Sequence, residues 1–222
     1  MGQGWERTYE AVGYENARTE YITTTLDGGY CLTATVEIPS AQTIAVLKLD
    51  AEGNEQWIKY FGGVLEDRSR RIFQLPDGGY IIGGLTFNNS NGSGDYLLLR
   101  LDAFGNEMWS ETYGTSAFED FNGLALTPDG GFLLTGELPP SYSKILLIKV
   151  DANGVQEWLK SVGPNAGKTE GRDIKPTSDG GYILTGTNQP LGNSDDEDFY
   201  ICLLYTSPSP RDATLSRMPS SA

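Results

Sequence analysis

The sequence predicts an all-β fold, a β-propeller built from repeated four-stranded sheets, on three markers that share one period. Asp-Gly-Gly-aromatic turns stand at Asp27-Gly28-Gly29-Tyr30, Asp77-Gly78-Gly79-Tyr80, Asp129-Gly130-Gly131-Phe132 and Asp179-Gly180-Gly181-Tyr182, spaced by 50, 52 and 50 residues. The tryptophans Trp5, Trp57, Trp109 and Trp158 recur at 52, 52 and 49. Between them a second turn recurs as Asp50-Ala51-Glu52-Gly53, Asp102-Ala103-Phe104-Gly105 and Asp151-Ala152-Asn153-Gly154. Independent markers in one register define an internal repeat, and a four-stranded meander every ~40–50 residues is the signature of a propeller blade. About four such antiparallel blades, with a period of about 50 residues, are expected here.

The elements of one unit follow in order. Residues 71–75 run into the Asp-Gly-Gly turn and residues 80–86 run out of it; Asp-Gly between apolar runs marks a tight hairpin, because glycine adopts positive φ cheaply. Residues 96–102 form the third strand and 107–113 the fourth. The Asp-Ala-Phe-Gly-Asn loop joining them suits a type I turn with a left-handed glycine bulge. Leu97, Leu99 and Leu101 make one face of the third strand wholly apolar, while Leu98 and Arg100 leave the other partly so. Strands apolar on both faces belong to sheets stacked between sheets. The tryptophans near the outer strands are therefore expected to pack between adjacent blades.

Composition limits the functions that fit. Asp and Glu outnumber Lys and Arg by 30 to 16, a net charge of −14, which repels phosphate backbones and argues against nucleic acid. No run of 18 apolar residues is present, so no membrane insertion is expected in this segment. There is no histidine, which removes the commonest general base and metal ligand. The two cysteines, Cys31 and Cys202, support neither a disulfide framework nor a zinc site, and Cys31 reads as a buried, inert thiol.

The repeats are read as incomplete at both ends. Trp5-Glu6-Arg7-Thr8-Tyr9 matches the fourth-strand sequence Trp109-Ser110-Glu111-Thr112-Tyr113, without three strands before it. At the other end Asp198-Phe199-Tyr200-Ile201 matches the third-strand opening Asp95-Tyr96-Leu97-Leu98, but Leu203 and Tyr205 stand where a basic residue and an aspartate are required. Cys202 to Asp212 resembles the translation of a transposase-type sequencing adapter, and Ser216 to Ala222 resembles that adapter's far end. The expected organisation is therefore propeller repeats over residues 1–201 and a non-native, disordered tail over 202–222.

Each unit reads as a basic-Leu-Asp strand end, Gly-Asn, Trp, a turn glycine, Glu-Asp and Asp-Gly-Gly-aromatic. The marks include Arg100-Leu101-Asp102, Gly105-Asn106, Trp109, Gly114, Glu119-Asp120, Asp129 to Phe132 and Gly136. This resembles the SBBP-like β-propeller repeat of large secreted or surface-attached bacterial and archaeal proteins. The resemblance implies a propeller and an extracellular or cell-surface location. It implies no activity, since such folds host many functions.

Function is expected in the loops that vary between units, because recognition residues usually sit on loops held by a rigid scaffold. The candidate ligand-binding residues are Asn88, Asn89, Asn91, Tyr142, Asn193, Asp195 and Asp196. The run Asp195 to Asp198 offers oxygen ligands for calcium but lacks EF-hand spacing, so it reads as solvated acidic loop and no cofactor is expected. Glu66-Asp67 and Glu119-Asp120 are paired carboxylates of the kind glycosidases use, yet they recur in successive units, which favours structure over chemistry. The sequence thus predicts no catalytic residue and no enzyme. It predicts an extracytoplasmic binding or adhesion module for a glycan or surface protein. The alternatives are a structural spacer in an envelope protein, or part of a polysaccharide-active hydrolase or lyase.

Overall fold

The computed structural model describes residues 4–88, 94–138, 144–164, 167–191 and 197–205. Fifteen strands and no helix occur among them. They form three four-stranded sheets and one three-stranded sheet, each a meander in sequence order. The first sheet holds β1 (Ala17–Thr24), β2 (Tyr30–Ile38), β3 (Ala41–Leu49) and β4 (Glu55–Phe61). The second holds β5 (Asp67–Gln74), β6 (Tyr80–Thr86), β7 (Asp95–Leu101) and β8 (Glu107–Tyr113). The third holds β9 (Asp120–Leu126), β10 (Phe132–Leu138), β11 (Lys144–Val150) and β12 (Gln156–Val162). The fourth holds β13 (Lys168–Pro176), β14 (Tyr182–Gln189) and β15 (Asp198–Leu204).

The chain divides into two compact units: residues up to Asn122 together with Leu138, and Gly123 to Glu137 together with the described residues from Lys144 on. Within the first unit, Cys31, Ile44 and Val46 of one sheet meet Ile72, Tyr80, Ile82, Leu99 and Leu101 of the next in a buried cluster. Within the second unit, Ala125, Leu133, Ile145 and Leu147 meet Ile174, Tyr182 and Leu184. Strands β6, β7 and β11 are buried on both faces, which accounts for the two-sided apolar pattern of residues 96–101, whereas β14 buries alternate residues.

The turns follow from their glycines and aspartates. Gly28, Gly78, Gly130 and Gly180 take φ of 82, 86, 84 and 84°, values that cost an L-residue and cost glycine little. Asp27 Oδ1 accepts from the Gly29 amide at 3.1 Å, and Asp77 and Asp129 do the same for Gly79 and Gly131. In the second kind of turn Asp102 Oδ1 accepts from the amides of Phe104 and Asn106 at 2.9 and 2.8 Å. The ladder shifts by one residue beside that turn, between Arg100 and Leu101.

A buried cation ties the two turn types together. Lys48 Nζ, on a side chain 5 % exposed, donates to Asp27 Oδ2 and to the Leu49 carbonyl, both at 2.8 Å. Arg100 pairs in the same way with Asp77, and Lys149 with Asp129. The tryptophans join neighbouring sheets of the first unit. A Cβ on Gly105 would lie 2.9 Å from the Trp57 ring, which also meets Tyr80 edge-on at 5.8 Å. Trp5 sits over Gly53 and Tyr30 in the same way. Trp109 of the first unit is half-buried, and in the second unit Trp158 packs at the edge of the buried cluster.

β15 runs on through Cys202, Leu203 and Leu204, three residues past the boundary expected at Ile201, with Cys202 and Leu204 packed against the core. The remainder of the adapter-like segment, from Thr206 on, lies outside the described residues. Cys31 is fully buried, and that burial pushes its thiol up to about 12.

Candidate functional site: a charged groove on the first strands

The first strand of three sheets carries the same irregularity. In β1, Thr19 pairs with Ala34 and Tyr21 with Thr33, leaving Glu20 outside the ladder. In β5, Ser69 pairs with Gly84 and Arg71 with Gly83, leaving Arg70. In β13, Gly171 pairs with Gly186 and Asp173 with Thr185, leaving Arg172. A bulge bends its strand and re-aims one side chain, a device common beside active sites. Each bulge here presents a charged residue, an acid in β1 and an arginine in β5 and β13.

In the first unit β1 and β5 lie against each other. Together with the end of β2 and the start of β3 they shape a groove of about 240 Å³ lined by Asn16, Ala17, Arg18, Glu20, Thr35, Glu37, Gln42, Arg68 and Arg70. Its polar groups form a connected wall. Glu37 accepts from Asn16 Nδ2 at 2.7 Å and from Gln42 Nε2 at 3.4 Å. Gln42 Oε1 in turn accepts from Arg68 Nε at 2.9 Å, and Arg68 pairs with Glu66. Arg18 stands 3.4 Å from Glu20, and Arg70 stands 3.6 Å from Asp120. Carboxylates, amides and guanidinium groups alternate along this surface, an arrangement that can donate to and accept from a ligand rich in hydroxyl groups.

Of the ligand-binding residues expected from sequence, Asn88 is described. It is structural in its contacts: Oδ1 accepts from the Leu65 amide at 3.0 Å and Nδ2 donates to Asp67 Oδ2 at 2.7 Å. Asn88 and Asp67 line a second cleft, of about 450 Å³, with Glu107 and Glu111 on its far wall. Asn89, Asn91, Tyr142, Asn193, Asp195 and Asp196 lie outside the described residues, while Glu197 and Asp198 are exposed. Among the described residues no group of three or more His, Cys, Asp or Glu is placed to hold a metal ion.

The structure brings together one carboxyl pair that sequence reading misses. Asp95 and Glu119 are both fully buried. They flank Gly114, where a Cβ would lie 2.5 Å from Asp95 Oδ1 and from Glu119 Oε2. Burial, and then the charge of Asp95, raise the pKa of Glu119 against the donation it receives from Thr115, so the pair is suited to sharing one proton. The pair does not recur among the described residues: the matching Gly62 is flanked by Thr43 and Asp67, and Gly163 by Thr169. In the second unit, burial works against the charge of Glu170, but Lys168 and Arg172 beside it hold its carboxyl below the usual range.

No family model and no curated protein matches the sequence. Solved structures do match. A protein assigned as an exo-β-1,3-galactanase from Bifidobacterium bifidum aligns with a TM-score of 0.52 at 13 % identity, over 85 % of this chain and 67 % of that one. A protein assigned as a glycoside hydrolase from Bacteroides ovatus aligns at 0.48 and 14 % identity, over 86 % and 68 %. A gluconolactonase from Xanthomonas campestris aligns at 0.43 and 12 % identity, over 90 % of each chain. The fold is a β-propeller. The first of these matches runs against the expectation that the chain is no enzyme, because that propeller carries the name of an enzyme. The argument behind that expectation, that recurring carboxylate pairs are structural, does not reach Asp95 and Glu119 or the bulged Glu20. No helix of the described residues is long and apolar enough to cross a membrane.

Proposed function

We propose that this chain is part of a polysaccharide-active hydrolase of propeller fold, with the groove on β1 and β5 as its sugar site. The observation that carries the reading is the groove wall, where Glu20 and Glu37 stand among the amides of Asn16 and Gln42 and the guanidinium of Arg68. Hydrolysis of a glycosidic bond needs one carboxylic acid to protonate the leaving oxygen and one carboxylate to act as nucleophile or to activate water. Glu37, held in the wall by donors on both oxygens, is the candidate for the second role. Glu20, lifted out of the ladder by its bulge, is the candidate for the first. The likeness to a protein assigned as an exo-β-1,3-galactanase supports the same substrate class. The SBBP-like repeat marks, and the extracellular or surface location they imply, belong to this reading, since polysaccharide is met outside the cell.

The test is release of reducing sugar from a panel of β-linked galactans and other plant and microbial polysaccharides by the full chain. Glu20→Gln is expected to lower turnover by ~10²–10⁴-fold, the usual worth of a general acid, with an unchanged far-ultraviolet spectrum. Absence of turnover across the panel, or full activity in both Glu20→Gln and Glu37→Gln, would overturn the reading.

A further inference from the structure

We infer that the groove selects sugars bearing an oxyanion substituent, a carboxylate or a sulfate ester, and that Arg70 binds it; this rests on the reading of the groove as a sugar site. Three arginines crowd β5, and two are committed. Arg68 donates from Nε to Gln42 and pairs with Glu66. Arg71 lies over the Tyr21 ring at 5.1 Å. Arg70 is the residue that the bulge turns out of the ladder and onto the groove. Its side chain is 32 % exposed, and its one ion pair, to Asp120 Oδ1, is 3.6 Å long, beyond hydrogen-bond length. A guanidinium carries five N–H donors in a fixed fork, and none of those of Arg70 makes a hydrogen bond among the described residues. A partly buried arginine whose guanidinium makes no hydrogen bond among the described residues has donors free for a ligand. Two oxygens of a carboxylate or a sulfate ester received side-on by the fork supply two charge-assisted hydrogen bonds at once.

The size and charge of the surroundings narrow the ligand. At about 240 Å³ the groove is smaller than the ~300–1,000 Å³ clefts that hold drug-sized ligands, which suits a single ring. The net charge of −14 repels a densely charged polymer at long range. A sugar with one anionic group, set against a local fork, meets both conditions.

Equilibrium binding of galacturonate, galactose 6-sulfate and galactose to the full chain, followed by ligand-observed NMR, tests the inference. Galacturonate or the sulfate ester is expected to bind at least ~10-fold tighter than galactose, and the stronger of the two names the substituent. Arg70→Met is expected to lose that preference, the affinity for the anionic sugar falling to that for galactose, while Arg70→Lys, which keeps the charge but not the fork, loses most of it. Arg172→Met, at the same register of β13, is expected to change nothing. Asp120→Asn removes the competing carboxylate and is expected to tighten the anionic sugar, which keeps the test decisive if Arg70→Met folds poorly. Equal binding of all three sugars, or an anion preference that survives in Arg70→Met and is unmoved in Asp120→Asn, overturns the oxyanion assignment and leaves the sugar site standing. Absence of any sugar binding overturns both.

Discussion

Single residues decide how each hairpin is locked. Asp27 and Asp129 have carboxyl groups lowered to about 2, the first chiefly by Lys48 and the second chiefly by the Thr127 hydroxyl with help from Lys149. A carboxyl whose folded pKa lies below its unfolded value adds stability that is complete above the unfolded pKa, ~3.9, and is lost as pH falls through the folded one. Urea melts between pH 5 and 2 are therefore expected to show stability falling steadily, and Asp27→Asn is expected to flatten that slope. Glu119 has the opposite sign. Its pKa is raised by burial, so its contribution is full at low pH and declines as pH rises through the folded value. Glu119→Gln, which keeps the shape of the protonated acid, is expected to gain on the parent chain as pH increases from 4 to 8 in the same melts. The fourth sheet offers a third check. Leu203 occupies the ladder position of Lys48, and Asp179 there keeps the hydroxyl donation from Thr177 but has Tyr205, at 3.4 Å, in place of a cation. Leu203→Lys is expected to restore the ion pair and raise the urea midpoint only slightly, as exposed pairs do. The basic-Leu-Asp pattern was legible in sequence as a repeat mark. Its partner was not, because Lys48 reaches back 21 residues to Asp27.

At the scale of elements, turns were legible because glycine and aspartate have few other reasons to recur together. The bulges of β1, β5 and β13 were not, because a charged residue in a strand reads as an ordinary solvent-side position in a period of two. Loop length hid the Asp95–Glu119 pair. Aligning Glu66-Asp67 with Glu119-Asp120 by their letters matches Glu119 to Glu66. In space Glu119 does the work of Asp67: Thr115 N donates to Glu119 Oε1 at 3.1 Å as Gly63 N donates to Asp67 Oδ2 at 2.8 Å. One extra residue in the second loop shifts the register, and the repeated letters then conceal a unique contact. The contact of Trp57 with Gly105 is the element-scale joint most open to test. Gly105 has φ of 76° and its missing Cβ would sit 2.9 Å from the indole, so Gly105→Ala combines backbone strain with overpacking. A loss of ~1–3 kcal/mol is expected from overpacking of this kind, read as a lower urea midpoint with an unchanged slope. A midpoint within error of the parent would mean that the ring moves aside freely and that the joint is not tight.

At the scale of the whole molecule, the fourth sheet governs behaviour in solution. Among the described residues it has three strands, and β15 turns Tyr200, Cys202 and Leu204 to the core while leaving Phe199, Ile201 and Leu203 at 98, 67 and 42 % exposure. Apolar side chains on a sheet face beside an unpaired strand are a template for another chain. The opposing force is the net charge of −14, which keeps copies apart over a Debye length of ~10 Å at 0.1 M salt and ~3 Å at 1 M. Association is therefore expected to rise with both concentration and salt, since screening removes the repulsion and leaves the apolar contact intact. Light scattering on the full chain should give a mass near 24.2 kDa at low salt and low concentration, and a growing mass as either increases. The double variant Phe199→Lys and Ile201→Lys places charge at the two most exposed apolar positions of β15, and is expected to stay at the monomer mass throughout. A parent chain that remains monomeric in 1 M salt would show that this face is covered, and a variant that associates as the parent does would place the contact elsewhere.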